Sequence, residues 1–154
     1  MKKVKDYIWA FLSHFKYHIV IVVGVLFVVF IDENSMIQRF KYEREIDQLK
    51  AEIEKRLPKW ETLTGLHCSS WQTKYMTTKW GTCNTKTGKI WINLQLAKKP
   101  FECLDYVLLH ELAHLRVKDH GPEFTAVLDE FMPYWRDIRK ELNDSTLDYL
   151  PDTM

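Results

Sequence analysis

Residues His110 to His120 read His-Glu-Leu-Ala-His-Leu-Arg-Val-Lys-Asp-His, an H-E-x-x-H pattern with a third histidine six positions beyond the second. On a helix, residues four apart share a face, so His110 and His114 present two imidazoles side by side. Such a pair can hold zinc, with Glu111 placed to act on water at the metal. Adding His120 makes three neutral imidazoles and leaves one tetrahedral position open, the arrangement of a catalytic rather than a structural site. Zinc there would lower the pKa of water to about 7 and polarise a substrate carbonyl. Glu111 would take the water proton and deliver it to the leaving amine. Peptide-bond hydrolysis is the reaction this chemistry favours; hydrolysis of a non-peptide bond, such as one in a nucleotide, is the alternative for the same ion. The remaining histidine beyond residue 57, His67, reads as a non-ligand.

The elements must bring the third imidazole back. Ten residues beyond His110 a continuing helix would be turned by about 80° and risen by about 15 Å, so His120 can join only if the helix ends. Leu104, Val107, Leu108, Leu112 and Leu115 recur at helical spacing and give that helix its buried face, with Lys98-Lys99-Pro100 introducing it. Arg116 and Lys118 suit its C-terminus, and Gly121-Pro122 blocks continuation. A second helix is expected over 123–132, a last one over 134–142 after Pro133, and a loose tail over 143–154. Upstream, Trp71–Met76, Lys79–Cys83 and Lys89–Leu94 have strand character, the last two joined by a hairpin loop over 84–88. Pro58 is placed for the first turn of a helix through Leu63 that Gly65 stops. The class is α+β.

The N-terminal half differs in character. Ile19 to Ile31 is a run of thirteen uncharged residues, which Tyr7–Phe15 lengthens towards the ~20 residues a membrane span needs. Asp32-Glu33-Asn34 follows with no small-residue cleavage site, so an uncleaved single-pass anchor is expected. Lys2, Lys3, Lys5 and Lys16 precede the span and Arg39, Lys41 and Arg44 follow it, which favours a cytoplasmic N-terminus. Residues 36–57 read as a charged helix with Ile46, Leu49, Ile53 and Leu57 on one face. That face suits either a short coiled coil linker or packing on the following domain. The organisation expected is tail and transmembrane helix over 1–35, charged helix over 36–57, catalytic domain over 58–142 and tail over 143–154. A net charge of +1 names no partner, and three cysteines without a C-x-x-C pair argue against a disulfide framework or a cysteine-rich zinc site.

Residues 58–142 are similar to the YgjP-like metallopeptidase domain, a resemblance carried by the stretch from Thr77 to Leu142. The matching features are Lys79-Trp80-Gly81-Thr82-Cys83, Ile90-Trp91-Ile92-Asn93, the run from Tyr106 to Leu115, Asp119-His120 before Gly121-Pro122-Glu123-Phe124, and Pro133-Tyr134-Trp135. The resemblance implies a zincin-like fold, Zn2+ at His110, His114 and His120, and Glu111 as the catalytic acid/base. It also places Trp80, Gly81 and Thr82 on a strand near the cleft, where an edge strand can hold a substrate peptide extended. The segment resembles SprT-like proteases more distantly. The histidine spacing equals that of metzincins, but Val117 stands where they carry glycine. Residues 10–56 resemble the N-terminus of the FtsB/DivIC septum-formation-initiator family, which implies a division-protein partner for residues 36–57. The chain then reads as a fusion joined near Glu52–Leu57.

Two further readings complete the set. From residue 62 to 101 there is no acidic residue, while Lys74, Lys79, Lys86, Lys89, Lys98 and Lys99 alternate with Trp71, Tyr75, Trp80 and Trp91. A solvated lysine face over an aromatic core is favoured over a nucleic-acid surface. A non-catalytic membrane or cell-division interaction protein with a remnant zinc domain is the rival to the enzyme. Cys83 is not expected to be a nucleophile, because a metal mechanism needs none.

Overall fold

The computed structural model describes residues 36–144. Helix α1 covers 36–64 and is followed by strand β1 (Ser70–Lys74), strand β2 (Gly81–Asn84) and strand β3 (Lys89–Asn93). A 3-10 turn over Leu94–Lys98 leads into helix α2 (Phe101–Ala113), helix α3 (Pro122–Phe131) and helix α4 (Trp135–Asp144). The chain divides into two compact units, Met1–Glu43 and Arg44–Met154. All that follows concerns the second. The apolar run 19–31, expected as a membrane anchor, and residues 145–154 of the expected tail lie outside the described residues. Among the described residues no helix is long and apolar enough to cross a membrane.

Helix α1 departs from expectation in two ways, both for the same reason. Leu49, Ile53 and Leu57 are each no more than 4% exposed and belong to one apolar cluster with β3, α2, α3 and α4. A face spent on its own domain is not a coiled-coil seam, so the second of the two readings of 36–57 is the observed one. The helix runs without a break through 52–58, where the expected charged helix and the following domain join. Pro58 therefore sits inside a helix rather than opening one. It removes one backbone hydrogen bond, but Pro58 and Glu54, whose carbonyl loses its donor, are both exposed and water can serve. Gly65 stops the helix as expected, with φ +69° and its N–H donating to the Glu61 carbonyl at 2.9 Å.

Polar contacts fix α1 against α2. The Arg56 guanidinium pairs with the Asp105 carboxylate, and the Trp60 indole N–H donates to the other carboxylate oxygen at 2.9 Å. Arg56 also lies 4.9 Å from the centre of the Phe101 ring. Asp105 stands one turn before the first histidine pair, so α1 holds the helix that carries the chemistry.

The three strands form one sheet in the order β1-β3-β2. β1 runs parallel to β3, with Ser70 opposite Lys89 and Lys74 opposite Asn93. β2 runs antiparallel to β3, with Gly81 opposite Ile92 and Asn84 opposite Lys89. Strand periodicity sends Ile90 and Ile92 fully into the helical side, while Trp91 faces outward under Lys89. The 84–88 loop is the expected hairpin turn. The Asn84 side chain accepts from the Lys86 and Thr87 N–H groups at 3.0 and 3.2 Å, and Gly88 takes φ +71°. The strand expected to reach Leu94 stops at Asn93, whose side chain caps the 3-10 turn by accepting from Gln95 N–H at 3.1 Å. The last helix extends two residues past its expected end, to Asp144.

Because Ile53 is completely buried at the meeting of α1, α2 and the sheet, Ile53→Ala is expected to lower unfolding stability by about 2–5 kcal/mol. Denaturant unfolding of the purified protein measures it; a loss of a few tenths would mean that α1 is a detachable linker after all.

Candidate metal centre

His110 lies on the last turn of α2 and His114 is its C-cap residue, at φ −64° and ψ −20°. The helix then breaks as the His120 argument requires. Leu115, Arg116 and Val117 turn back with their N–H groups on the Leu112 and Ala113 carbonyls, and Gly121-Pro122 starts α3 immediately after His120. Leu115 is thereby only half-buried instead of continuing the apolar face. One ring nitrogen from each of His110, His114 and His120 lies within 4.8 Å of the others. The Nε2 atoms of His110 and His120 are 3.0 Å apart. The edge of a tetrahedron with metal–nitrogen bonds of ~2.0–2.1 Å is about 3.3 to 3.4 Å, so a shift of a few tenths of an ångström brings that pair to a shared ion.

The outer contacts favour the same conclusion. The carbonyl of Val117 can only accept, so His114 Nδ1 carries its proton and donates at 3.2 Å, which frees Nε2 for a metal. Tyr106 places its hydroxyl 3.4 Å from His110 Nδ1. Phe124, buried on α3, puts its ring 4.7–4.8 Å from all three imidazoles. Burial, with the neighbouring imidazoles and Arg139, holds His110 down to about 3, so it is neutral and able to ligate. The donor set therefore fits a borderline-soft divalent ion.

Glu111 is nearly buried, and its Oε2 has no hydrogen-bond partner among the described residues. Burial pushes this carboxyl up to about 8, with Lys79 acting weakly against it; a cation bound beside it would pull it back down. Gly81 explains how the glutamate fits. A Cβ at that position would lie 2.7 Å from Glu111 Oε1, 2.9 Å from Glu111 Cγ and 2.9 Å from Val107 Cγ1. The glycine is needed for space and not for backbone freedom, since its φ is not positive.

An open cleft of about 440 Å³ holds the triad. Gly81 and Thr82 line it from the edge strand β2, while Trp80, expected on that strand, lines it from the bend just before; Glu111 and Tyr106 line it from α2. Of the other aromatic and basic side chains that could serve as donors, Tyr75, Tyr134 and Arg136 do not reach it; Arg136 is paired with Asp129 on the outside. His67 is exposed beside Glu61 and is not part of the triad. Burial pushes the Cys83 thiol up to about 11, so it is not a thiolate nucleophile. Lys89 and Lys99 lie over the rings of Trp91 and Trp80 at 5.1 and 5.8 Å.

Asn93 was not foreseen as part of the site, yet it holds the approach to β2. Fully buried, it donates to the Met76 and Lys79 carbonyls at 2.7 Å each, and Gln95 donates to Met76 O at 3.0 Å. The Asn93 N–H meets the Trp80 carbonyl at 2.9 Å. Phe124 and Arg139 were likewise missed. Nothing in their local spacing marks them, because Phe124 packs on the imidazoles from α3 and Arg139 lines the cleft from α4.

Compared with known proteins, residues 30–145 match the YgjP-like, metallopeptidase domain family. The chain belongs to that family. The match begins upstream of residue 58, so α1 is part of the YgjP-like domain and not an addition to it. No curated protein matches. Among solved structures, the metallopeptidase zymogen of Pyrococcus abyssi abylysin aligns with a TM-score of 0.55 at 20% identity, over 60% of this chain and 92% of that one. The metallopeptidase zymogen of Methanocaldococcus jannaschii jannalysin aligns with a TM-score of 0.53 at 22% identity, over 60% of this chain and 94% of that one. At such identities the likeness is one of fold: a small α+β metallopeptidase-like fold.

Gly81→Ala is expected to reduce peptide hydrolysis by at least ~10-fold while leaving bound metal unchanged, because the new methyl displaces Glu111 and not the histidines. Metal analysis alongside turnover checks it; loss of both together would place Gly81 in the scaffold rather than at the carboxylate.

Proposed function

We propose that this protein is a zinc-dependent peptidase, and that His110, His114 and His120 hold the ion while Glu111 acts as general base and then general acid. The observation that carries this reading is the convergence of three imidazole nitrogens in the one cleft that also contains the partnerless carboxylate oxygen of Glu111. Membership of a metallopeptidase family and the fold likeness to metallopeptidase zymogens support peptide as the substrate class.

Zinc supplies Lewis acidity there, polarising the scissile carbonyl and acidifying water. The chain's own groups do the rest. Glu111 accepts a proton from the attacking water at a carboxylate oxygen. It returns that proton to the amine nitrogen as the peptide bond breaks, and its apolar surroundings suit a carboxyl that must be a base in one step and an acid in the next. The Val117 carbonyl and Tyr106 hydroxyl orient the rings of His114 and His110. The outer side of β2, unpaired in the sheet, offers backbone groups to a substrate in extended form beside Gly81. Asn93 and Gln95 tie the segment that enters that strand to the end of β3.

We further propose that residues 19–31 anchor the protein in a membrane as a single pass, with the N-terminus in the cytoplasm. The support is the length and uncharged character of the run and the lysines before it.

With zinc bound, the full-length protein is expected to cleave unfolded polypeptide. Chelation should abolish the activity and zinc restore it, and Glu111→Gln should lower kcat by about 10²–10⁴-fold with zinc retained. Turnover untouched by either treatment would refute the assignment. The anchor has its own check: the protein should stay in the membrane pellet through alkaline carbonate extraction, and lysines at Val23 and Val28 should release it.

A further inference from the structure

Among the described residues the cleft has an unbalanced charge. Lys79, Lys118 and Arg139 line it, and of the described acidic side chains only Glu111 does. The three cations approach from different sides: Lys79 from the segment entering β2, Lys118 from the turn between α2 and α3, and Arg139 from α4. Among the described residues none of the three is in an ion pair. Asp105, on α2, is committed to Arg56 and Trp60, and Asp129, on α3, to Arg136 and Trp135. Asp119, next to Lys118, is exposed and does not line the cleft.

Arg139 is the most telling of them. Surface arginines on helices are commonly balanced by an acid three or four residues away. Here those positions are Trp135, Arg136, Leu142 and Asn143. Its guanidinium is 5.9 Å from the Trp135 ring, which itself stacks on Tyr106, so the arginine is aligned along an aromatic wall that ends at His110. A planar, always-charged group with paired donors matches a carboxylate in two-point contact. An uncompensated cationic cleft also concentrates anionic ligands.

Resting on the peptidase reading above, we infer that this cleft selects substrates with a carboxylate close to the scissile bond, received by Arg139 across the cleft from β2 with Lys79 and Lys118 flanking it. That carboxylate can be an aspartate or glutamate side chain or the free C-terminus of the peptide. Arg139 is here a specificity residue; it takes no part in moving the proton.

The test uses the full-length protein with zinc and fluorescein-labelled hexapeptides of three kinds. One has a glutamate and an amidated C-terminus, one is its glutamine isostere with the same amide, and one is the isostere with a free carboxylate. Anisotropy reads binding on Glu111→Gln protein, and hydrolysis is read separately on the unsubstituted protein. A peptide with a carboxylate should bind about 5-fold more tightly than the neutral one. That advantage should vanish in Glu111→Gln/Arg139→Gln protein and in ~0.5 M salt, with the neutral peptide's affinity unchanged. If only the free C-terminus gains, the recognised group is the chain end; if only the glutamate gains, it is the side chain. Binding with this pattern but no hydrolysis would sink the peptidase reading, and with it the scissile bond, and leave only carboxylate recognition at Arg139 standing. Equal binding of all three peptides would overturn the inference. So would an Arg139→Gln loss shared by charged and neutral peptides, or a single-stranded oligodeoxynucleotide that binds more tightly than the acidic peptide.

Discussion

Everything functional in this fold depends on ending one helix at the right residue. Two imidazoles four apart are a consequence of helical pitch and could occur on any surface helix. The third can reach them only through a reversal that begins at His114, the C-cap of α2, and is complete by Gly121. The backbone groups freed by this break are not wasted. The Val117 carbonyl takes the proton of His114, so the element that stops the helix also sets the tautomer of a ligand. Termination and coordination are thus one piece of local structure, and a helix running even one turn longer would have neither.

The second requirement is that the edge strand β2 and the Glu111 carboxylate approach each other without collision. The approach is set from two directions. From the helical side, α1 clamps α2 through Arg56, Trp60 and Asp105 and buries Ile53 behind it. From the sheet side, Asn93 ties the end of the central strand to the segment that enters β2. Where the two meet there is room for a hydrogen atom at position 81 and nothing larger. A family domain that begins at residue 30 makes sense in these terms: without α1, the helix carrying the histidines would lose its packing on one side.

What could be read in the residues follows the range of the forces involved. The histidine cluster, the glutamate beside it, the helix stop and the hairpin turn are local patterns, and all were legible. The trend of Leu104, Val107, Leu108 and Leu112 towards the core was legible for the same reason. Pro58 misled because a rule about helix starts is local, whereas the burial of Leu49, Ile53 and Leu57 on both its sides is tertiary and outweighs one lost hydrogen bond. The parallel pairing of β1 with β3 joins residues separated by a whole hairpin, and no neighbouring residue encodes it. Phe124, Asn93 and Arg139 act on the site from other elements, so their types alone carried no signal.

Phe124 has one more implication. Its phenyl ring, buried on the inner face of α3, lies 4.7–4.8 Å from each of the three imidazoles. Under the proposed function the half-buried rings of His110 and His114 would lose little rotational freedom on closing around a cation, because packing has already confined them. Order that most exposed histidines would surrender on binding is, for these two, surrendered during folding, so a bound ion would find much of the entropic cost already met.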